Sequence, residues 1–204
     1  MMGQVVIREL GRGDRDAFVD VVAAAFAADP LFTDVLGRVE HGRALVRYLF
    51  GATRVLGGAR LGLFVDDRLA GAALVEPPRG VGGPVRMVAA AAMFLTVAVR
   101  LPLSTSSTLN IYMRVARSAA PVGPHHYLTM IGVSAAHRGA GHGRRLVEEV
   151  TGLARTHPRS IGVALDTENA ANVAMYENWG FRLTGVHDAA GLLIHSMRWD
   201  VRDG

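Results

Sequence analysis

The residues with the clearest chemical potential lie in the stretch HRGAGHGRR, residues 137–145. A segment with helical periodicity, residues 144–156, begins at its two final arginines. Because the N-terminus of a helix carries partial positive charge, arginines at that end indicate that a negative group completes the site. Glycine leaves no Cβ between the backbone amides and such a group, and it accepts positive φ. The stretch therefore predicts an anion site, and its alternating glycines are Gly139, Gly141 and Gly143.

Other interpretations of this glycine stretch make different demands on the sequence. An exposed turn with solvated arginines fits the glycine spacing equally well. A Walker A loop requires a lysine after its last glycine, and the sequence contains no lysine. A dinucleotide-binding fingerprint requires its glycines near the first strand, whereas this stretch lies two-thirds of the way along 204 residues. The choice between an anion site and a plain turn therefore depends on the neighbouring segments.

The second informative segment is LDTENAANVAMYENWGF, residues 165–181. A helix is predicted over residues 170–179, where Asn172 and Tyr176 are four positions apart and share one face. Gly180 is typical of the end of a helix. The side-chain amide of Asn172 and the phenol of Tyr176 are therefore predicted to lie side by side on this helix.

Alternating strands and helices are predicted to position these segments, so the fold class is α/β with a mixed sheet. The hydrophobic pattern predicts a first strand, a helix over residues 15–29 that ends before Pro30, a second helical region, and then a hairpin around Asp66 and Asp67. Residues 79–84 are predicted to connect this hairpin to an apolar helix at 87–99, and Ser104 is a predicted cap for the next helix. The remaining predicted strands are 125–133, 161–167, 181–187 and 192–199.

Composition narrows the class of protein. Half of the residues are hydrophobic and no repeat or boundary interrupts them, so we predict one domain over residues 1–204. The net charge is +4, but the arginines are scattered without interleaved aromatic residues, and we predict no nucleic-acid partner. There is no cysteine, which excludes disulfides, and the eight histidines show no ligand spacing, so we predict no metal.

The same sequence predicts a cytoplasmic protein without membrane association. Its most apolar window, residues 87–99, is shorter than the roughly 20 residues that cross a bilayer. The N-terminal residues contain no apolar signal core followed by a cleavage site. We therefore expect the apolar window to form a buried or pocket-lining helix.

Taken together, the two informative segments resemble the GNAT superfamily of acetyl-CoA-dependent N-acetyltransferases, over about residues 125–185. The superfamily's pyrophosphate signature, Arg or Gln, two residues, Gly, one residue, then Gly or Ala, is matched by Arg138, Gly141 and Gly143. Its downstream pattern is matched by Asn172, Tyr176, Gly180 and Phe181. The stretch AFAADP and the long apolar segment are also similar to the small-molecule branch that includes puromycin N-acetyltransferase.

This resemblance implies a GNAT-like fold, in which a central sheet flanked by helices splays beside a bulged strand, here expected around residues 131–133. It also implies acetyl-CoA as the acetyl donor. Ile131, Gly132 and Val133 would pair with the pantetheine arm through their backbone. The other expected donor-binding residues are Arg138, Gly139, Ala140, Gly141, His142, Gly143, Arg144, Asn172 and Tyr176.

The resemblance further implies direct attack of an amine on the thioester, with Tyr176 protonating the leaving thiolate. A tyrosine has an ordinary pKa of about 10 and a thiol about 8.5, so this transfer depends on local placement. The alternative role for Tyr176 is a packed aromatic side chain. Many relatives carry a glutamate on the strand before the glycine loop, but residues 125–133 contain no acid. Asp166 is the first candidate for the general base, and His126, His125 and His195 are the alternatives.

The expected acceptor is a primary amine of a small molecule. The apolar segment and the helix after it place Met93, Phe94 and Tyr112 as candidates for enclosing the acceptor, with ordinary core packing as the alternative. Acetylation of a protein or peptide is a second interpretation. A non-catalytic acyl-CoA-binding regulatory module is a third, and a homodimer is compatible with all of them.

Overall fold

One mixed β-sheet organises the protein. In the computed structural model, which describes residues 4–78, 83–99 and 101–202, seven strands pair in the order β1-β2-β3-β4-β5-β7-β6. The strands are β1 Val5–Glu9, β2 Ala59–Val65, β3 Arg68–Glu76, β4 His126–Val133, β5 Gly162–Thr167, β6 Arg182–Ala189 and β7 Leu192–Asp200. Strands β4 and β5 run parallel and the other neighbours are antiparallel, so the predicted α/β class with a mixed sheet is confirmed.

Six α-helices cover the two faces of this sheet in the described part of the chain. They are α1 Arg15–Ala25, α2 Val39–Val55, α3 Gly83–Ala98, α4 Leu103–Ala119, α5 His142–Thr156 and α6 Ala170–Glu177. On one face, α1 and α2 pack on β3 around Phe18, Val22 and Val46, all fully buried. On the other face, α5 buries Leu146 and Val150 against β3, β4 and β5. The sheet is therefore enclosed from both sides, with α5 as the crossover that joins two parallel strands.

The sheet opens between β4 and β5. These strands pair only from His126–Val163 to Leu128–Leu165, although β4 continues to Val133 and β5 to Thr167. The cause is visible on the other edge of β4, where Leu74 pairs with Met130 and Val75 with Leu128, so Thr129 is an extra residue. Such a bulge bends its strand and increases its twist. The bulge was expected around residues 131–133 and lies two residues earlier, at Thr129.

Most predicted elements agree with the structure, and the differences have local causes. The first predicted helix extends to Asp29, but α1 ends at Ala25 and a π-helical turn, Leu31–Leu36, follows Pro30. The predicted hairpin turn is confirmed, with Asp66 and Asp67 both at positive φ as its tight geometry requires.

The apolar helix is longer than its hydrophobic window predicts. It begins at Gly83, four residues before the window, and ends at Ala98, and α4 begins at Leu103, before the predicted cap Ser104. The predicted connector, residues 79–84, lies outside the described residues from 79 to 82. None of the helices in the described ranges combines the length and the apolar character that a membrane span needs.

The contact of β5 with β7 gives a stability prediction. A Cβ on Gly162 would lie 2.0 Å from the carbonyl oxygen of Trp199 in β7. Gly162→Ala should therefore force the strands apart and lower the free energy of unfolding by about 1–3 kcal/mol or more. The control Gly152→Ala, in α5 with no atom within 4 Å of the new Cβ, should raise it by about 0.5–1 kcal/mol. Urea denaturation measures both, and equal effects would contradict this packing.

Candidate active site

The glycine stretch forms a loop with free amides at the start of α5. Gly139 and Gly141 have φ of 79° and 77°, and no atom lies within 4 Å of a Cβ built on either. The first backbone hydrogen bond of the helix is donated by Arg145 to Gly141, so the amides of residues 139–144 have no acceptor in the described chain. The glycines therefore provide a cradle of N–H donors that a side chain would fill, which is the geometry that a diphosphate requires.

Two of the arginines around this loop, Arg138 and Arg144, contact protein groups. The Arg138 guanidinium donates to the carbonyl oxygen of Ala25 at 3.2 Å, which ties the loop to the C-terminus of α1. Arg144 forms an exposed ion pair with Glu148 at 3.0 Å, one turn along α5. His142 is buried at the first position of α5, and its Nδ1 has no hydrogen-bond partner. The backbone amides of this loop and the exposed side chain of Arg145 therefore remain open to an anion.

The free edge of β4 leads from this loop into the gap between β4 and β5. Ile131, Gly132 and Val133 pair with β3 on one side, and no described strand pairs with their other edge. Gly132 lies against α1, because a Cβ there would be 2.9 Å from the Cβ of Ala25. The three residues expected to pair with an extended ligand therefore border the gap, where an added strand could bind.

Tyr176 lies on α6, the helix that follows β5. This side chain is only 5% exposed, and its ring makes edge contacts with Trp179 and Phe181. Burial, together with the charge of Glu168, raises the pKa of Tyr176 well above its ordinary value, so the phenol keeps its proton at neutral pH. Asn172, one turn earlier, donates its side-chain amide to Thr167 Oγ1 at 3.1 Å. The expected pair on α6 is therefore present, and Asn172 also fixes the loop that joins β5 to α6.

Asp166, the expected general base, lies near the end of β5 in contact with β4. The hydroxyl of Tyr127 donates a hydrogen bond to Asp166 Oδ2. Ser196 of β7 lies opposite Asp166 in the strand register. Burial raises the pKa of Asp166 above its ordinary value. Asp166 is therefore a half-buried carboxyl held between two strands.

Glu168, which the sequence did not single out, lies two residues beyond Asp166. It is the first residue after β5, and its Oε1 accepts a hydrogen bond from the hydroxyl of Tyr112 on α4. Burial, together with the charges of Asp29 and Asp166, raises the pKa of Glu168 to about 7 despite the opposing hydrogen bond from Tyr112. A polar residue that directly follows a buried strand is the sequence signal that could have identified it.

Asp29 completes an acidic cluster, which we define as Asp29, Asp166 and Glu168. Asp29 belongs to the stretch AFAADP and accepts a hydrogen bond from the amide of Leu31 at 3.0 Å. Its burial raises the pKa of its carboxyl. The charges of Asp29 and Asp166 both raise the pKa of Glu168, so the cluster favours a positively charged ligand on this side of the gap.

The candidate residues His126, Met93 and Phe94 lie outside this constellation. His126 is 7% exposed, packs its ring on His157 at 5.3 Å and hydrogen-bonds Ser160. Met93 and Phe94 are half-buried against α2, where Phe94 meets the ring of Tyr48. Among the expected acceptor residues, the structure brings Tyr112 alone into contact with the acidic cluster. The other two histidine candidates have backbone partners: His125 contacts Gly123, and His195 contacts Thr167.

The comparisons with known proteins agree with this geometry. Residues 38–181 match the model of the acetyltransferase (GNAT) family, so the chain belongs to that family, whose members use acetyl-CoA as the acetyl donor. It is therefore an acyl-CoA-dependent N-acetyltransferase. Comparison with curated protein sequences gives no significant match.

Solved structures similar to the whole chain show the same fold. An arylalkylamine N-acetyltransferase from Aedes aegypti has a TM-score of 0.68 and 13% identity, over 97% of this chain and 99% of that one. A polyamine N-acetyltransferase from Drosophila melanogaster has a TM-score of 0.65 and 15% identity, over 97% and 100%. A structure described as a histone acetyltransferase and related acetyltransferase, from Corynebacterium glutamicum, has a TM-score of 0.65 and 21% identity, over 98% of this chain and 97% of that one. At these identities the likeness establishes the fold alone.

The packing of His126 predicts a pH effect on stability. Burial and the neighbouring His157 lower its pKa from 6.5 to about 4. The unfolded chain therefore binds a proton that the folded protein rejects, and stability falls as pH decreases from about 6.5 to about 4. His126→Asn should lose stability at pH 7.5 through lost packing, and it should recover on the order of 1 kcal/mol of that deficit at pH 5. Denaturant titration at both pH values checks this, and a pH-independent deficit would contradict it.

Proposed function

We propose that this protein transfers the acetyl group of acetyl-CoA to a primary amine of a small molecule. The observation that supports the proposal best is the gap between β4 and β5, with free loop amides at one end and the acidic cluster at its mouth. One face of this arrangement suits an anionic donor and the other a cationic acceptor. The two substrates would therefore meet where Tyr176 lies.

The donor would be held mainly by backbone groups. Amides of residues 138–144 would bind the diphosphate, and the free edge of β4 at residues 131–133 would pair with the pantetheine arm. Arg138 would contribute by fixing the loop to α1, since its guanidinium already donates to Ala25. This arrangement would place the thioester in the gap beside Tyr176.

The acceptor would be a small, positively charged amine. Asp29, Asp166 and Glu168 would attract its ammonium group, while Tyr112 and Tyr127 provide aromatic walls next to two of these carboxyls. Structural neighbours that carry the names polyamine and arylalkylamine N-acetyltransferase favour this class. The puromycin-like branch stays a prediction, and a puromycin-type amine belongs among the acceptors to be tried.

Direct attack would account for the chemistry without a covalent enzyme intermediate. The amine nitrogen would attack the thioester carbonyl, and the C–S bond would break as Tyr176 donates its proton to the thiolate. The tetrahedral nitrogen would then return a proton to the tyrosinate, so the raised pKa of Tyr176 favours its restoration. A general base must first take a proton from the ammonium, and Asp166 is the candidate that the sequence gives for it.

A screen of acetyl-CoA consumption tests the proposed function. Purified protein is mixed with acetyl-CoA and, separately, with agmatine, spermidine, 2-phenylethylamine, puromycin, single amino acids and lysine-containing peptides. Release of the thiol is followed with a thiol-reactive dye, and the acetylated product is identified by mass spectrometry. Turnover with a small amine is the expected result, and turnover restricted to peptides would contradict it.

The loop geometry predicts a selective loss of donor binding. Valine at Gly141 must adopt φ near 77°, which should lower the free energy of unfolding by about 1–2 kcal/mol. Its side chain would also occupy the anion cradle, so Gly141→Val should weaken acetyl-CoA binding roughly 10- to 100-fold in calorimetry. The control is Gly191→Val in the turn between β6 and β7, where φ is 90° and the Cβ position is equally open. Equal donor affinity in the two folded variants would contradict the proposed cradle.

The surroundings of Tyr176 predict a selective loss of chemistry. Its hydroxyl has no hydrogen bond to the described residues, so Tyr176→Phe should keep thermal stability and acetyl-CoA affinity. The single-turnover rate should fall roughly 10²- to 10⁴-fold through loss of the proton donor. The matched control is Tyr48→Phe, which removes a hydroxyl that contacts the carbonyl of Ala90. An unchanged chemical rate in Tyr176→Phe would exclude Tyr176 as the acid.

A further inference from the structure

We infer that Glu168, positioned by Tyr112, accepts the proton of the acceptor ammonium, and that Asp166 instead assists as a neighbouring charge. This inference rests on the proposed function. It assigns the base to a residue that directly follows β5, at the mouth of the gap. Tyr112 is therefore a positioning residue in this assignment, since it contacts the carboxyl and does not itself exchange the proton.

Glu168 has the geometry of a base with one oxygen fixed and one available. Tyr112 donates to Oε1, and no other described side chain hydrogen-bonds to the carboxyl. The backbone amide of Glu168 also hydrogen-bonds to its own carboxyl, so two contacts orient the group. No described side chain donates to Oε2, and this oxygen is the one proposed to meet the incoming nitrogen. The hydrogen bond spans 56 positions of the chain, from α4 to the loop after β5, so it is a tertiary contact.

Glu168 and Asp166 differ in the groups with which they interact. Of the two carboxyls, Glu168 is the one whose charge acts on Tyr176. Asp166 accepts its hydrogen bond from Tyr127 in β4, and its pKa, which burial raises, is lowered in part by His187 on β6. Tyr176 is the proposed proton donor to the thiolate. Glu168, whose charge acts on Tyr176, is therefore the better placed of the two carboxyls to receive the proton of the amine.

The groups that surround Glu168 adjust its proton affinity to neutral pH. Its pKa of about 7 lies well above the ordinary value, which makes the equilibrium for taking a proton from an ammonium more favourable. Burial and two carboxylates raise the pKa, and the hydrogen bond from Tyr112 lowers it. The titratable groups that face Glu168 are Asp29 after α1, Tyr112 on α4, Tyr127 on β4, Asp166 on β5 and Tyr176 on α6.

The proton balance of the reaction is complete with these residues. The ammonium gives one proton to Glu168, and the free amine forms the C–N bond to the acetyl carbon. The C–S bond breaks, the thiolate takes the Tyr176 proton, and the tyrosinate regains a proton from the nitrogen. Glu168 then releases its proton to solvent, so the products are the amide, the thiol and one proton.

The test compares pH profiles of kcat/KM for wild type and Glu168→Gln, with an amine that wild type acetylates. The kcat/KM of wild type should rise with pH through about 7 as Glu168 ionises. The kcat/KM of Glu168→Gln should be at least 10²-fold lower than that of wild type at pH 7. This difference should shrink about tenfold per pH unit as more of the ammonium loses its proton to solvent. The matched control is Glu177→Gln, an exposed glutamate on α6, and acetyl-CoA affinity should be the same in all three proteins.

Two further variants separate a base from a positioning group. Tyr112→Phe removes a contact that lowers the pKa of Glu168, so the rising limb should move to higher pH. Asp166→Asn removes a charge that raises this pKa, so the limb should persist and move to lower pH. A merely structural role for either residue would lower the rate without moving the limb.

A stability measurement gives a readout that does not depend on turnover. Because the pKa of Glu168 is raised in the folded protein, its ionisation costs stability as pH rises from about 4.5 to about 7. The melting temperature of Glu168→Gln should therefore increase relative to wild type over this range, and a constant difference would overturn the assigned environment.

The activity outcomes distinguish failure of the Glu168 assignment from failure of the proposed function. A wild-type pH profile in Glu168→Gln, or loss of the rising limb in Asp166→Asn, overturns the assignment and leaves the proposed function intact. Absence of transfer by wild type to every amine overturns the proposed function, and the assignment fails with it.

Discussion

The divergence of two parallel strands is the constraint on which the rest of the site depends. The paired segment ends at Leu128 and Leu165, and the bulge at Thr129 turns β4 away from β5. A parallel pair that stayed in register would fill its backbone hydrogen bonds and leave no room for an extended ligand. The unpaired ends therefore create an edge inside the sheet, which natural proteins usually avoid unless a partner covers it. Here the loop before α5 and the side chains after β5 face that edge.

The two faces of the gap have opposite electrostatic character, and each character has a different origin. Positive potential beside the glycine loop comes from unpaired backbone amides, which do not titrate. Negative potential after β5 comes from Asp29, Asp166 and Glu168, whose charge depends on pH. Binding of the donor is therefore expected to be less sensitive to pH than recognition of the acceptor.

Local patterns in the sequence predicted the parts of the site that local geometry builds. The glycine loop, the helix α5 and the placement of Asn172 and Tyr176 on one helix can each be predicted from residue spacing within a single segment. Glu168 was missed because its environment comes from Tyr112, Asp29 and the packing of α4, which no short window contains. The bulge was misplaced because strand register is set by β3, whose Leu74 and Val75 lie more than 50 positions away.

The tyrosine contacts also have a consequence for how the protein folds. Tyr112 and Tyr127 reach carboxyls that are 56 and 39 positions later in the chain, and they come from a helix and a strand on different sides of the loop before β4. Contacts of such sequence separation form only after loop closure, whereas the glycine loop and α5 are contiguous in sequence. Local opening of α4 would therefore remove the contact of Tyr112 with Glu168 while the glycine loop and α5 stay intact.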